Sequence, residues 1–163
     1  MRAAIREKHD GGFADRRTVR LWLRLLSCAT VVEKRLKRRF GDHFGSTLPR
    51  FDVLAQLERA PEGMTMSALS AALLVSNGNV TGVVQVLARD GLVTLAPSPT
   101  DGRVAIVRLT EAGRRQFERQ AEAHHRWVDA MLADLTPGEM EQLYALLGRV
   151  KQSIAADRSE EQP

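Results

Sequence analysis

Between Met64 and Thr110 the hydrophobic pattern changes from a helical to a strand-like period, and turn residues punctuate every change. Thr65 stands where it can cap a helix that carries Leu69, Ala72 and Leu73 inward, with Val75 filling the turn that follows. Ser76 opens a second helix whose apolar stripe is Val80, Val83, Val84 and Leu87. Asp90-Gly91 closes it, the glycine supplying the left-handed residue that helix ends often need. Leu92-Val93-Thr94-Leu95 and Val104-Ala105-Ile106-Val107 then bracket a tip reading Ser98-Pro99-Thr100-Asp101-Gly102-Arg103, a hairpin signature. Helix, tight turn, helix and hairpin in that order leave few folds open.

The flanks are helical. From about Asp15 to Phe40 apolar residues recur at Val19, Trp22, Leu23, Leu26, Ala29, Leu36 and Phe40, and Gly41 is expected to end this long helix. Thr47 can cap the next one, with Pro49 in its first turn and Phe51, Leu54 and Leu57 on its buried face; Pro61-Glu62-Gly63 ends it. Thr110 starts a fifth helix carrying Phe117, Ala121, Val128, Met131 and Leu132. Thr136-Pro137-Gly138-Glu139 is a complete start for a sixth. There Met140, Leu143, Leu147, Val150 and Ile154 alternate steps of three and four, a narrow seam suited to a partner helix. The expected organisation is a mobile lead-in over 1–14, a first helix within 15–46, a central unit over 47–109, C-terminal helices over 110–156 and a disordered tail over 157–163. The fold class is mostly α with a small β-hairpin.

No apolar run approaches the roughly 20 residues of a membrane span, and the N-terminus lacks a signal-peptide core, so a cytoplasmic chain with no membrane partner is expected. The single cysteine, Cys28, excludes an intrachain disulfide; set among Leu25, Leu26, Ala29 and Val32 it reads as buried and inert. His124-His125, with His9 and His43, give no convincing zinc spacing, and no cofactor is expected. No nucleophile–base pair, phosphate loop or metal motif is present, which argues against an enzyme.

The net charge of +4 is unevenly spread: residues 1–50 hold thirteen Lys/Arg against five Asp/Glu, whereas 51–110 hold four against five. A basic chain favours a polyanionic partner, yet the Met64–Thr110 stretch is nearly neutral. Opposite the valine stripe of its second helix lie Gly78, Thr81, Gly82 and Gln85, flanked by Asn79. Two glycines lower helicity by roughly 1 kcal/mol each relative to alanine, a cost that makes sense where the backbone must come close to something. Asn and Gln can pair with adenine and a Thr methyl can touch thymine, so these residues suit a DNA major groove and A·T pairs. Arg89 suits a phosphate, Arg103 at the tip suits a narrow minor groove with Asp101 holding it, and Ser67 suits another phosphate.

The chain resembles the MarR family of bacterial transcription regulators, which carry a winged helix-turn-helix. The matching elements are Ser76-Asn77-Gly78-Asn79-Val80-Thr81, Leu87-Ala88-Arg89-Asp90-Gly91-Leu92-Val93, and Asp101-Gly102-Arg103 followed by Arg108-Leu109-Thr110 through Gly113. The resemblance spans about residues 15–155; Gly102 departs from it, since an arginine is common there. It implies a homodimer built from the first, fifth and sixth helices on a pseudo-palindromic double-stranded operator, with Ser76, Asn77 and Gly78 joining the DNA-contacting set. It also implies a repressor released by a small, often aromatic, anionic effector. The candidate lining is Trp22, Leu25, Leu26, Ala29, Phe51, Leu54 and His124, with core packing the alternative for each. The run Lys34-Arg35-Leu36-Lys37-Arg38-Arg39 reads either as the solvated end of a long helix or as a holder of phosphates, those of DNA or of an effector that would extend the lining set to Arg35, Arg38, Arg39 and His43. The phrase from Phe51-Asp52-Val53-Leu54 through Val80-Thr81-Gly82 is similar to the branch controlling hydroxycinnamate and related aromatic-acid catabolism, whose effectors include aroyl-CoA thioesters. Two alternatives stay open: a winged helix that contacts protein without an operator, and a redox-sensing regulator using Cys28.

Overall fold

The computed structural model describes residues 17–99 and 102–157, with the backbone alone at Asn77. The expected lead-in, most of the expected tail and Asp101 therefore lie outside the described residues. In chain order the elements are α1 (Arg17–Phe44), α2 (Leu48–Glu58), β1 (Met64–Thr65), α3 (Met66–Leu73), α4 (Asn77–Arg89), β2 (Val93–Pro97), β3 (Ala105–Leu109), α5 (Glu111–Leu132) and α6 (Pro137–Ala156). The chain divides after Trp127 into two compact units.

In the first unit the core gathers Val53, Leu54 and Leu57 from α2, Leu69 from α3, Val80, Val84 and Leu87 from α4, and Leu92, Val93 and Val107 around the sheet. The sheet has three strands rather than the two of the expected hairpin. β1 pairs antiparallel with β3 (Met64 opposite Val107), and β3 pairs with β2 (Val93 opposite Leu109). The β2–β3 pairing also runs one to two residues further toward the C-terminal side than the apolar runs suggest, and Thr110 continues it at the base of the hairpin. Its amide donates to the Leu92 carbonyl and its hydroxyl to the Gly91 carbonyl. The same hydroxyl accepts from the Gly113 amide, 3.0 Å away, and so caps α5.

Local chemistry sets the helix ends. Thr47 and Thr65 cap α2 and α3 by accepting from the amides of Arg50 and Ala68. Gly41 does not end α1; a solvent-facing glycine costs only about 1 kcal/mol inside a helix, and the helix continues to Phe44. Gly45, at φ 55°, takes the left-handed position, and its amide bonds back to Gly41. Gly91, at φ 72°, closes α4 as expected. Of the residues expected inward on α3, Leu69 is buried, Leu73 is half-buried and Ala72 is exposed; Val75 is exposed where the chain leaves the helix through Leu74 in the left-handed region (φ 55°).

α1 buries only Leu23, Leu36 and Phe40, while Leu21 and Trp22 are more than half exposed. Cys28 is exposed rather than buried. Its apolar neighbours explain why: Leu25, Leu26 and Val32 are themselves only half-buried and Ala29 is exposed, so nothing among the described residues covers this part of α1.

In the second unit α6 begins with a full capping box. The Thr136 side chain accepts from the Glu139 amide, and the Glu139 carboxylate accepts from the Thr136 amide at 2.8 Å. That backbone bond, with the Thr136 hydroxyl as second donor, holds the Glu139 carboxyl below its ordinary range. No residue of α6 is buried; Met140, Leu143, Leu147 and Ile154 of the seam are all exposed.

Candidate nucleic-acid interface

α3, its turn and α4 form the helix-turn-helix. On α4 the 3.6-residue period sorts side chains cleanly: Val80, Val84 and Leu87 are buried, whereas Gly78, Asn79, Thr81, Gly82, Gln85 and Arg89 are exposed. A Cβ on Gly78 or Gly82 would meet nothing within 4 Å, so neither glycine is demanded by packing inside this chain. Ser76 occupies the N-cap position in extended conformation but makes no side-chain cap bond, which leaves its hydroxyl for an outside partner. Ser67 is exposed in the first turn of α3, and its carbonyl accepts from the Ser70 hydroxyl at 3.0 Å. Gly102 and Arg103 are exposed between β2 and β3.

Two ion pairs fix this unit. Arg50 on α2 binds Asp90 at the C-cap of α4, and Arg114 on α5 reaches both oxygens of Glu58 at 2.7 and 2.8 Å. Arg89 is largely exposed, and its Nε lies 3.7 Å from Asp90 Oδ1. Among the described residues the exposed face of α4 carries no acidic side chain, and Arg89 is the one charge along it.

Behind that face lies a cavity of about 440 Å³. Its walls come from Glu33 on α1, Pro49, Asp52 and Val53 on α2, Leu73 and Val75 around the turn, and Asn79, Val80 and Val83 on α4. Burial, and secondly the charge of Glu33, push the Asp52 carboxyl up to about 6; Lys37 opposes them. Lys37 is itself paired with Glu33 at 2.6 Å.

The residues expected to line an effector pocket fall elsewhere. Phe51 and Leu54 are core, and Phe51 stacks on His124 (centroids 4.9 Å apart) and on Phe117 (5.7 Å). Phe40 joins this group against Phe51 and Trp127. Burial, and secondly His125, hold the His124 imidazole below its ordinary value. Trp22 and Ala29 face outward, and Leu25 and Leu26 are half-buried. In the basic run Arg35 and Arg38 are exposed, while Arg39 sits over the Trp127 ring at 5.7 Å and bonds its carbonyl; His43 also packs on Trp127. None of these lines the cavity. Asp52 borders the cavity, and its one mark in the sequence is a lone carboxylate between Phe51 and Val53 on a helix of core residues. Among the described residues no His, Cys, Asp and Glu side chains gather into a metal-binding group. No single described helix is long and apolar enough to cross a membrane.

Helix-turn-helix plus a three-stranded wing is the architecture of winged-helix transcription regulators. The MarR family model matches residues 44–104. Over about 100 residues, 61% of this chain, it is 34% identical to the HTH-type transcriptional repressor IacR of Pseudomonas putida and 35% identical to the transcriptional activatory protein BadR of Rhodopseudomonas palustris. Those matches cover 59% and 57% of the two relatives' lengths. The crystal structure of a MarR family transcriptional regulator from Silicibacter pomeroyi superposes with a TM-score of 0.74 at 35% identity, covering 88% of this chain and 99% of that one. The chain belongs to the MarR family of winged-helix, DNA-binding transcription regulators, and not to an enzyme family.

Proposed function

We propose that this regulator is a homodimeric repressor that binds a pseudo-palindromic operator through α4 and the wing and releases it when a small molecule binds. The carrying observation is α4 itself: one face exposes Gly78, Thr81, Gly82 and Gln85, and the opposite face borders the cavity through Val80 and Val83. A helix that reads DNA on one side and bounds a cavity on the other gives a ligand direct leverage on the reading face.

A nearly neutral reader needs a second copy. Two reading heads double the phosphate contacts, and half-sites one helical turn apart, roughly 34 Å, follow from a two-fold axis. The exposed seam of α6 and the uncovered part of α1 support such a dimer, since contiguous exposed apolar surface on a folded chain marks a contact region. The sequence points to an aromatic acid or its CoA thioester as effector; that reading requires cations at the pocket, and the cavity behind α4 instead carries Asp52 and Glu33.

A gel shift against DNA upstream of the chain's own gene tests the proposal. Specific binding at least about 10³-fold tighter than to unrelated DNA, retained through a salt series, is expected. Binding without sequence preference that vanishes as salt rises would favour a winged helix used for protein contact.

A further inference from the structure

We propose that the cavity behind α4 takes a small organic cation, its ammonium group paired with Asp52 and its hydrocarbon body laid against Val53, Val80 and Val83. This rests on the ligand-responsive reading above and gives that ligand a charge class.

The volume of about 440 Å³ falls in the range of small-molecule sites, which are mostly apolar with a few placed polar groups. Of the lining residues only Glu33 and Asp52 are charged, and both are acidic. Glu33 is already neutralised at its exposed end by Lys37. Asp52 has no hydrogen-bond or ion-pair partner among the described residues, and it is drawn out of water against valines. Its raised carboxyl agrees with that geometry: loss of solvent and the charge of Glu33 outweigh the attraction of Lys37, which is already paired with Glu33. An ammonium group would supply the missing partner. A carboxylate ligand would meet two like charges and no Lys, Arg or His on the wall. Asn79 adds an amide that can accept from a second N–H. Because Asn79, Val80 and Val83 are all on α4, filling the cavity presses on the helix that reads DNA.

The test uses three probes with one ring system and different heads: naphthylmethylamine, naphthylmethanol and naphthoate, titrated at pH 8 into the full chain with naphthalene fluorescence as the readout. The amine should bind roughly tenfold or more tighter than the alcohol, and the acid weakest. Asp52→Asn should reduce the amine's preference over the alcohol to within about twofold, and Val83→Phe, which fills the space, should weaken both. Thermal melts of each variant establish that it is folded. Acid binding as tight as amine, an amine preference that survives Asp52→Asn, or no binding of any probe would overturn the inference. Failure of the regulator reading is separate, because it appears as absence of operator binding with no probe present.

Discussion

Asp52 should weaken the fold it sits in, and only above a certain pH. Its carboxyl is held at about 6 against an ordinary 3.8. Between those values the folded chain binds the proton more tightly than the unfolded chain, so stability falls as pH rises through that window. Above about 6 the whole penalty is present; below 3.8 it is absent. The displacement corresponds to roughly 3 kcal/mol, which partial exposure to solvent screens to about 1–2 kcal/mol. Asp52→Asn keeps the shape and removes the charge. It should therefore stabilise the protein by about 1–2 kcal/mol at pH 8, or a few degrees in Tm, and by nearly nothing at pH 4. Urea unfolding at both pH values and one fixed protein concentration measures this, the fixed concentration removing any contribution from association. An equal effect at both pH values, or destabilisation at pH 8, would refute the reasoning. A stabilising substitution at a cavity wall is what a residue kept for binding rather than folding predicts.

Three further outcomes follow from the geometry. Gly113→Ala should destabilise by about 2–3 kcal/mol in thermal melts, because a Cβ there runs into the Leu92 carbonyl and the Leu109 side chain; an unchanged Tm would mean that α5 does not approach the sheet so closely. Glutamate at both Leu143 and Leu147 should convert a dimer to a monomer in size-exclusion chromatography with light scattering, and a dimer that persists would remove α6 from the interface. Arg103→Ala should weaken operator binding about equally across sequences and lower the salt slope by about one if the arginine contacts the backbone, as read by anisotropy at several salt concentrations.

The helices were legible because their signals are local. Caps at Thr47, Thr65 and Thr136 and the valine period of α4 stand in the sequence as they stand in the structure. What the sequence concealed depends on partners far along the chain. β1 is two residues long and exists only because β3 lies beside it. The path of α1 past Gly41 depends on that glycine facing solvent. Cys28 misled because apolar neighbours in sequence do not ensure a covered helix face. Phe51 and Leu54 pack in the core, as the apolar face of α2 leads one to expect, while Asp52 and Val53 border the cavity, which no local pattern in the sequence marks. The helical period opposite the valine stripe marked the polar face of α4, and Gly78, Asn79, Thr81, Gln85 and Arg89 are exposed there.

The central claim is that α4 reads bases. The most direct measurement is the base preference of the protein and of its Gln85→Ala variant, obtained by selection from a random DNA pool and quantified by competition at fixed salt. The account predicts that the variant loses roughly 1–3 kcal/mol of discrimination at one A·T step in each half-site, with the remaining positions and the salt slope unchanged. An unaltered preference, or a uniform loss of affinity for every sequence, would contradict it.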